Sequence, residues 1–431
     1  MNVNKVKPNG LALLPIIVFL ILFIGVGVVQ KDFYSMPAVI GFLIALAVAF
    51  LQTKGISFNE KISIIAKGVG DDNIITMCLI FLVAGAFSGS VSAAGGVNST
   101  VNLGLSLLPP GIAVIGLFII GCFISISMGT SMGTIAALAP IAMGISEKTD
   151  FPIAICIGAV VSGAMFGDNL SMISDTTIAA VRTQGCDMRD KFRKNFLIVL
   201  PAAIATIVIL FFMTSGAHFT VSKNLDYNIF QVIPYILVLV TALIGLNVFI
   251  VLIGGIAFSV IAGLATGAMK VSQIFTSMGE GATGMYDITV ISILVACISA
   301  LVKYNGGFAF ILENIHKHIH SYKGAEFGVA ALVGLIDCAT ANNTVAIVIA
   351  GPIAKEISDD YGIEPARTAS LLDMFASVFQ GIIPYGAQLL SAASLTGLSS
   401  FDIMPYLFYP YLMAVCGIVS IIISKKKLGK A

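Results

Sequence analysis

The 431-residue chain is 58% hydrophobic and only 10% charged, with a mean hydropathy of +1.02. Soluble domains carry about 25% charged residues, so this composition excludes a soluble globular protein and indicates a polytopic, all-α membrane protein. The formal net charge of +1 argues against a nucleic-acid-binding protein, which would carry a basic stripe.

The first feature along the chain is an apolar run that follows Lys5 and Lys7. It lacks an obvious cleavage site and further apolar runs follow at once, so it predicts a retained helix and not a signal peptide. A helix needs about 20 mostly apolar residues to cross a bilayer. By that measure the predicted spans are 11–29, 36–52, 74–94, 152–182, 196–214, 230–247, 249–265, 288–303, 366–396 and 403–423.

Two further apolar stretches, 112–145 and 326–354, are interrupted by polar tips at 128–134 and 341–344. The apolar arms on either side number roughly 16 and 11 residues in the first stretch and roughly 15 and 10 in the second, against about 20 for a crossing. Both stretches are therefore predicted to be re-entrant helical hairpins, with their tips inside the membrane.

The order of these elements occurs twice. Span, span, amphipathic stretch, span, hairpin, long span and span occur in 11–214 and again in 230–423, and Pro140 and Pro352 each lie ten residues after the start of their tip. Five crossings per half would invert the second copy, as in secondary transporters. The predicted organisation is a first inverted repeat at 1–214, a linker at 215–229, and a second inverted repeat at 230–431 that ends in a basic cytoplasmic tail.

The distribution of Lys and Arg agrees with this layout. With the N-terminus inside, only Lys31, Lys148, Lys223 and Lys270 of the 23 basic residues fall on the outside. The sequence therefore predicts a multi-pass protein of the cell membrane, with both termini cytoplasmic and the two hairpins entering from opposite sides of the lipid bilayer.

Four carboxylates, at Asp168, Asp175, Asp337 and Asp373, lie within predicted spans or hairpins. A charge at the bilayer centre costs about 2.5–3.5 kcal/mol on insertion scales, which makes each a functional candidate. Asp175, flanked by Ser174 and Thr176, is predicted to be the essential ion or proton site, with Asp168 in support. Asp337 and Asp373 fit either an ion-binding or a paired structural role equally well.

The long span 152–182 is expected to break near the midplane. Its 31 residues would run about 46 Å as one helix, beyond a 30 Å core, and its middle, 167–177, is rich in residues that disfavour helix interiors. Its partner 366–396 carries Gln380, Gly381 and Pro384 at the corresponding place. Both broken helices would expose carbonyl oxygens and half-helix ends.

Two polar tips and two interruptions thus place hard oxygen ligands near the repeat interface, which suits Na⁺ or H⁺. Small polar residues elsewhere, such as Ser125 and Thr206, are explained by helix packing alone. The candidate ion- or substrate-binding residues are Thr130, Ser131, Thr134, Asp168, Asn169, Ser171, Ser174, Asp175, Thr176, Thr177, Asp337, Asn342, Asn343, Thr344, Asp373 and Gln388.

The tip Gly-Thr-Ser-Met-Gly-Thr at 129–134, with Gly167-Asp168 and Ser-Asp-Thr-Thr at 174–177, resembles the NhaC-type Na⁺/H⁺ antiporter family. Asn-Asn-Thr at 342–344 is similar to hairpin tips of dicarboxylate symporters in the same ion-transporter superfamily. The resemblance implies a homodimer with a scaffold and a moving transport part. The ion ligands it implies are Thr130, Ser131, Asp168, Asp175, Asn343 and Thr344, with Na⁺ expected at Asp168, Asp175, Asn343 and Thr344.

The sequence therefore predicts a cation-coupled secondary transporter that resembles Na⁺/H⁺ antiporters and works by alternating access, with Na⁺, H⁺ or both as coupling ions and no other cofactor. Coupled transport of an amino acid or a small organic acid remains an alternative, and an ion channel is a second one. An enzyme is not expected, because the chain has no cluster of catalytic residues and no nucleotide-binding loop.

Overall fold

The computed structural model describes residues 7–30, 36–107, 110–149, 151–172, 174–215, 225–244 and 246–424. Every regular element in these ranges is helical, as the composition predicts. Most of the predicted linker 215–229 and the whole basic tail after residue 424 lie outside the described residues.

The described residues before 216 form ten α-helices, and a short 3₁₀ turn, Gly10–Leu13, leads into the first of them. The third is an amphipathic helix that starts with a capping box between Ser57 and Glu60. Their bounds are α1 Leu14–Gln30, α2 Ala38–Gln52, α3 Phe58–Val69, α4 Asp72–Ala93, α5 Gly96–Leu107, α6 Pro110–Met128, α7 Ser131–Thr149, α8 Ile153–Leu170, α9 Asp175–Gln184 and α10 Met188–Ser215.

Eleven α-helices follow in the part of the chain described after residue 224, with 3₁₀ turns at Val271–Gln273 and Met404–Tyr406. Their bounds are α11 Ile229–Leu243, α12 Val248–Ala265, α13 Ile274–Thr283, α14 Tyr286–Tyr304, α15 Gly307–Lys317, α16 Tyr322–Thr340, α17 Asn343–Tyr361, α18 Pro365–Ile382, α19 Ala387–Thr396, α20 Ser400–Ile403 and α21 Phe408–Ile423.

Length and hydropathy identify four membrane-spanning candidates among the described residues: Ile74–Ala93, Ile153–Gln184, Met188–Thr214 and Val248–Ala265. Two bent helix pairs, α14 with α15 and α20 with α21, raise this number to six if each pair is one span. Shorter apolar helices occupy several other predicted spans, among them Ala38–Gln52. The chain is thus an all-helical, multi-pass membrane protein.

The hairpin arms are longer than the hydropathy predicted. Each of α6, α7, α16 and α17 has 19 residues, so each arm is roughly 28 Å long at 1.5 Å per residue. The predicted bounds 112–145 and 326–354 were too narrow because the helices continue through polar ends, such as the Ser146–Thr149 turn of α7. The length of the arms therefore does not support the prediction that the hairpins are re-entrant. The two arms of each hairpin do pack on one another, α6 on α7 and α16 on α17.

Four consecutive helices have the same bounds in both halves when the chain is shifted by 212 residues. Helices α6 to α9 coincide at both ends with α16 to α19, from Pro110 against Tyr322 to Gln184 against Thr396. The left-handed residues after α6 and α9, Gly129 and Gly185, have counterparts at Ala341 and Gly397 at the same shift. The two segments that contain the predicted tips and interruptions, α6–α9 and α16–α19, thus have the same helical architecture.

These eight helices exchange contacts across the two halves. Helix α7 packs on α19 and α17 packs on α9, so the second arm of each hairpin lies against the distal half of the other broken helix. Helix α10 packs on α18, and α21 packs on α8. Helix α8 is buried from Ala154 to Leu170, which places the interrupted helices at the centre of the core.

Candidate ion-binding site

A cavity of about 380 Å³ lies where four helices begin. Its wall includes the first residues of α7, α9, α17 and α19, namely Ser131, Asp175, Asn343 and Ala387. The N-terminus of a helix carries roughly half a positive charge and free N–H donors. Four such ends around one cavity create a positive potential that stabilises carboxylates and anionic ligands there.

The hairpin tips are tight turns in which one residue has left-handed backbone geometry. Gly129 has φ +68°, and Ala341, which stands at the equivalent place, has φ +47°. The αL conformation at Ala341 is uncommon for a residue with a Cβ and costs free energy that the surrounding structure offsets. The Asn342 side chain then caps α17 by accepting a hydrogen bond from the Val345 N–H at 3.0 Å.

The predicted interruption of the first long span is present between Leu170 and Asp175. The Ser171 hydroxyl donates to the Ile126 carbonyl at 2.6 Å, which ties the start of the break to α6. Ser174 is the N-cap of α9, yet its side chain makes no capping bond. The second interruption, between Ile382 and Ala387, begins α19 without a side-chain cap either. Both helices therefore begin with N–H groups that no capping side chain satisfies.

Asp168 is the buried carboxylate of this cavity. Its side chain is 5% exposed and accepts one hydrogen bond on each oxygen: Oδ1 from the Ser174 hydroxyl at 2.6 Å and Oδ2 from the Ser131 hydroxyl at 2.8 Å. The donors come from the break and from the first hairpin tip, so the carboxylate joins the two structures. Ser174 lies 2.9 Å from the Thr176 hydroxyl, which adds a third hydroxyl to the cluster.

Asp175 lines the same cavity but is exposed. It is the first residue of α9, where a negative charge interacts favourably with the helix dipole. The two aspartates thus differ in environment, with Asp168 buried and hydrogen-bonded and Asp175 open to the cavity.

Amide side chains extend the Asp168 cluster into the second half of the chain. Gln388 donates to the Ser131 hydroxyl at 3.1 Å and accepts from Gln380 at 2.6 Å. Gln380 also donates to the Ala341 carbonyl at 3.3 Å. One network therefore runs from Asp168 through the first tip to the second tip. Gln380 lies 212 residues after Asp168, so the second half has an amide where the first half has the carboxylate.

A second polar cluster lies outside the cavity wall, around Lys191 of α10. The Lys191 ammonium, 1% exposed, pairs with the Asp373 carboxylate, which is fully buried. It also donates to the Asn169 carbonyl at 2.8 Å and to the Thr177 hydroxyl at 3.0 Å. Asn195, one turn further along α10, donates to the Asn169 side-chain oxygen at 2.7 Å. This cluster bonds α10 to both broken helices.

The structure brings ten of the predicted site residues to one cavity and separates six from it. The ten are Thr130, Ser131, Asp168, Ser174, Asp175, Thr176, Asn342, Asn343, Thr344 and Gln388. Asn169, Thr177 and Asp373 belong to the Lys191 cluster, and the Ser171 and Thr134 hydroxyls bond to backbone carbonyls. Asp337 is fully buried elsewhere, on α16.

The sequence analysis counted Lys191 with the basic residues of the cytoplasmic loops and span ends, whereas in the structure its side chain is buried in the helical core. The neighbouring Arg189, Arg193 and Lys194 hid it within an apparently solvated basic cluster. The helical period was the available signal, because Lys191, Asn195, Val199 and Ala202 share one buried face. Leu246, Asn247 and the first two residues of α12 also form part of the cavity wall, which the sequence did not predict.

A second cavity, of about 440 Å³, lies beside the first. Its wall includes Lys67 of α3, Lys303 of α14 and Ser299, and it reaches Thr340 and Asn342 at the second tip. Asn342 lines both cavities, so the second tip lies between them.

The atoms around the first cavity that could coordinate a metal ion are carboxylate, hydroxyl and amide oxygens. Oxygen ligands of this type suit hard cations such as Na⁺. Within the described residues, no group of three or more His, Cys, Asp or Glu side chains forms a transition-metal site.

The Na⁺/H⁺ antiporter family model matches residues 9–215 and 224–424 of this chain. The chain belongs to the Na⁺/H⁺ antiporter family. It is therefore a cation-coupled secondary antiporter, as the motifs at 129–134 and 167–177 predicted.

Several curated proteins are similar to the chain over nearly their whole length. The malate-2H⁺/Na⁺-lactate antiporter of Bacillus subtilis is 23% identical, over 93% of this chain and 92% of that protein. The Na⁺/H⁺ antiporter NhaC of the same organism is 23% identical over 87% and 90%. The arginine/ornithine antiporter ArcD of Halobacterium salinarum is 24% identical over 95% and 91%.

Among solved structures, the YdaH transporter of Alcanivorax borkumensis aligns with a TM-score of 0.41 and 14% identity, over 81% of this chain and 86% of that one.

Proposed function

We propose that Na⁺ and H⁺ compete for the Asp168 carboxylate and that their alternation drives exchange across the cell membrane. The observation that carries this proposal is the environment of Asp168, which is buried at the wall of a cavity with a hydroxyl donor on each oxygen. A buried carboxylate must be compensated either by a cation or by a proton. Occupancy by one excludes the other, which is the requirement for antiport.

The hydroxyl groups around Asp168 suit both occupants. The hydroxyls of Ser131 and Ser174 donate to the carboxylate, and each oxygen retains lone pairs that would coordinate Na⁺. Thr176, with its hydroxyl 2.9 Å from that of Ser174, offers another oxygen. Asp175, Asn343 and Thr344 line the same cavity and would supply the outer ligands.

We infer that the two halves form inverted repeats of five crossings and one re-entrant hairpin each. The shift of 212 residues that relates α6–α9 to α16–α19 supports a duplication, and the exchange of contacts between α7, α19, α17 and α9 supports an approximate two-fold relation. The basic residues favour cytoplasmic termini. In this arrangement the hairpins and broken helices form the moving part, and we expect the protein to act as a homodimer.

The cavities suggest how access alternates. Lys67 and Lys303 fall on the cytoplasmic side of the proposed topology, and their cavity extends to Asn342. Movement of the second tip would join this cavity to the Asp168 cavity or separate the two. The coupling ions would then reach Asp168 from one side at a time.

A second candidate is exchange of a small organic solute together with the cation. A cavity of about 380 Å³ is far larger than Na⁺ needs and falls in the range typical of small-molecule sites. Within the described residues, the Asn343 amide N–H group and the Gln380 side-chain oxygen are buried without partners. With the uncapped starts of α9 and α19, these groups would bind a carboxylate at one end of the solute and a donor at the other. Exchange of malate with lactate, or of arginine with ornithine, is named for relatives.

The test is transport by the purified protein in liposomes. An imposed pH gradient should drive radioactive Na⁺ uptake that saturates with Na⁺, and Asp168→Asn should abolish it. Asp287→Asn, which changes an exposed aspartate at the start of α14, is the control and should transport as the wild type does. Equal rates in wild type and Asp168→Asn would refute the proposal. Flux that followed the membrane potential without saturating would favour a channel.

Parallel assays with malate, lactate, arginine or ornithine in the liposomes address the second candidate. Na⁺ or H⁺ movement that requires one of these solutes on the opposite side would assign organic-solute exchange. Na⁺/H⁺ exchange at full rate without any solute would exclude an obligatory one.

A further inference from the structure

Asp337 is a buried carboxylate with no hydrogen-bond partner among the described residues. Its side chain is fully buried, and neither Oδ1 nor Oδ2 accepts a hydrogen bond. It lies in the last turn of α16, where its own carbonyl accepts the Ala341 N–H at 2.7 Å. It does not line the Asp168 cavity. An ionised carboxylate in such surroundings would be uncompensated, at a large cost in free energy.

The groups beside Asp337 do not supply a counter-charge. Cys338 is the next residue on α16, and the hydroxyl of Tyr385, in the second break, donates to the Cys338 carbonyl at 2.8 Å. Neither side chain is a cation. Helix α21, which also packs on α16, has no charged residue. On the other helices packed against α16, no described charged group forms an ion pair or hydrogen bond with Asp337. Arg367 pairs with Glu326, Asp373 with Lys191 and Lys317 with Glu313. Lys303 lines the second cavity, Asp287 lies at the start of α14, and the charges of α17 begin at Lys355.

The equivalent position in the first half shows which chemical form fits. Ser125 lies 212 residues before Asp337, and its hydroxyl donates to the Ala164 carbonyl of α8 at 2.6 Å. The side chain at position 125 thus donates a hydrogen bond to α8, the first part of the first broken helix. A protonated carboxyl group can donate in the same way, whereas a carboxylate can only accept. The shared architecture therefore favours the protonated form of Asp337.

We propose that Asp337 is a second proton-binding site of this antiporter, separate from Asp168, that holds a proton in this conformation and releases it when the second hairpin moves. Its part in transport, though not its protonation, rests on the function proposed above. Thr340, one turn along α16, lines the second cavity, which gives a route for water to within a turn of the carboxyl group. Helix α16 ends three residues after Asp337, at the second tip, which lies between the two cavities.

Infrared spectroscopy of the purified protein tests the protonation directly. The carbonyl band of a buried carboxylic acid should be present at neutral pH and shift in D₂O. Its Asp337 component should be missing from Asp337→Asn and Asp337→Ser but present in the control Asp287→Asn. Asp337→Ser places the residue of the first half at this position, so it should fold even if Asp337→Asn does not. A band unchanged in both folded variants would overturn the proposal.

Transport by Asp337→Ser then separates the two sites. We expect it to keep Na⁺/Na⁺ counterflow, which needs Asp168 alone, but to move fewer protons per Na⁺ than the wild type. An unchanged proton-to-Na⁺ ratio would overturn the role in coupling. If the wild-type protein itself exchanged no Na⁺ for H⁺, the function proposed above would fail, and the infrared result would still decide whether Asp337 binds a proton.

Discussion

The ammonium group of Lys191 on α10 and the carboxylate of Asp373 on α18 form an ion pair that is almost completely shielded from solvent. This pair joins the last helix of the first half to the broken helix of the second. Thr177 of α9 donates to the same carboxylate oxygen at 3.0 Å, so the contact also includes the distal part of the first broken helix. The pair therefore fixes the relative positions of three elements that surround the Asp168 site.

Removing one partner of this pair should destabilise the protein strongly. Lys191→Met leaves Asp373 as an uncompensated buried charge, a change that costs about 3–5 kcal/mol in comparable pairs. Adding Asp373→Asn removes that charge, so the double variant should regain most of the loss. Thermal unfolding of Lys191→Met, Asp373→Asn and the double variant is measured in detergent, with a thiol-reactive dye that reports exposure of the buried cysteines. A double variant as unstable as the sum of the singles would show that the two groups are not coupled.

The hydroxyl donors of Asp168 should control cation affinity. Ser131→Ala and Ser174→Ala each remove one hydrogen bond to the carboxylate and one oxygen ligand, a loss of about 1 kcal/mol or about fivefold in binding. We expect the KM for Na⁺ to rise by that factor in each variant, measured as initial uptake into liposomes. Thr134→Ala is the control, because its hydroxyl bonds only to the Thr130 carbonyl. Equal KM values in all three variants would remove the serines from the site.

The close packing of α6 against α8 should not tolerate a side chain at Gly163. A Cβ there would collide with the Phe118 carbonyl oxygen and lie 3.1 Å from the Cys122 nitrogen. Overpacking of this kind costs about 1–3 kcal/mol, so Gly163→Ala should lower the melting temperature in detergent. Gly116→Ala, on α6 of the same pair, adds its Cβ to open space and should leave the melting temperature unchanged. Similar melting temperatures for the two variants would contradict the packing.

The proposed topology predicts the side from which single cysteines are labelled. Lys54 and Lys270 are exposed, and the inverted repeat places position 54 in the cytoplasm and position 270 outside. In a cysteine-free background, an impermeant reagent added to intact cells should therefore label Lys270→Cys but not Lys54→Cys. Labelling of both positions from the same side would contradict the inverted arrangement.

The sequence predicted which segments form the site better than it predicted the role of each carboxylate in them. Polar residues in apolar segments identified both tips and both breaks, and packing does not explain two carboxylates, Asp168 and Asp175, within one span. The sequence favoured Asp175 as the essential ion or proton site with Asp168 in support, whereas the proposal made from the structure gives that role to Asp168. The burial of Asp168 and the exposure of Asp175 arise only after the chain folds. Asp337 and Asp373 looked alike in sequence, yet one has a lysine partner and the other has none among the described residues. That difference depends on contacts between residues 182 positions apart.

Binding of Na⁺ to the purified protein is the most direct test of the claim that Na⁺ and H⁺ compete for Asp168. In weakly buffered detergent solution, addition of Na⁺ to the wild type should release protons, and radioactive Na⁺ binding should weaken as the pH falls. Asp168→Asn should neither bind Na⁺ nor release protons on its addition, while Asp287→Asn should match the wild type. Proton release and Na⁺ binding by Asp168→Asn at the wild-type level would contradict the account and place the cation site elsewhere.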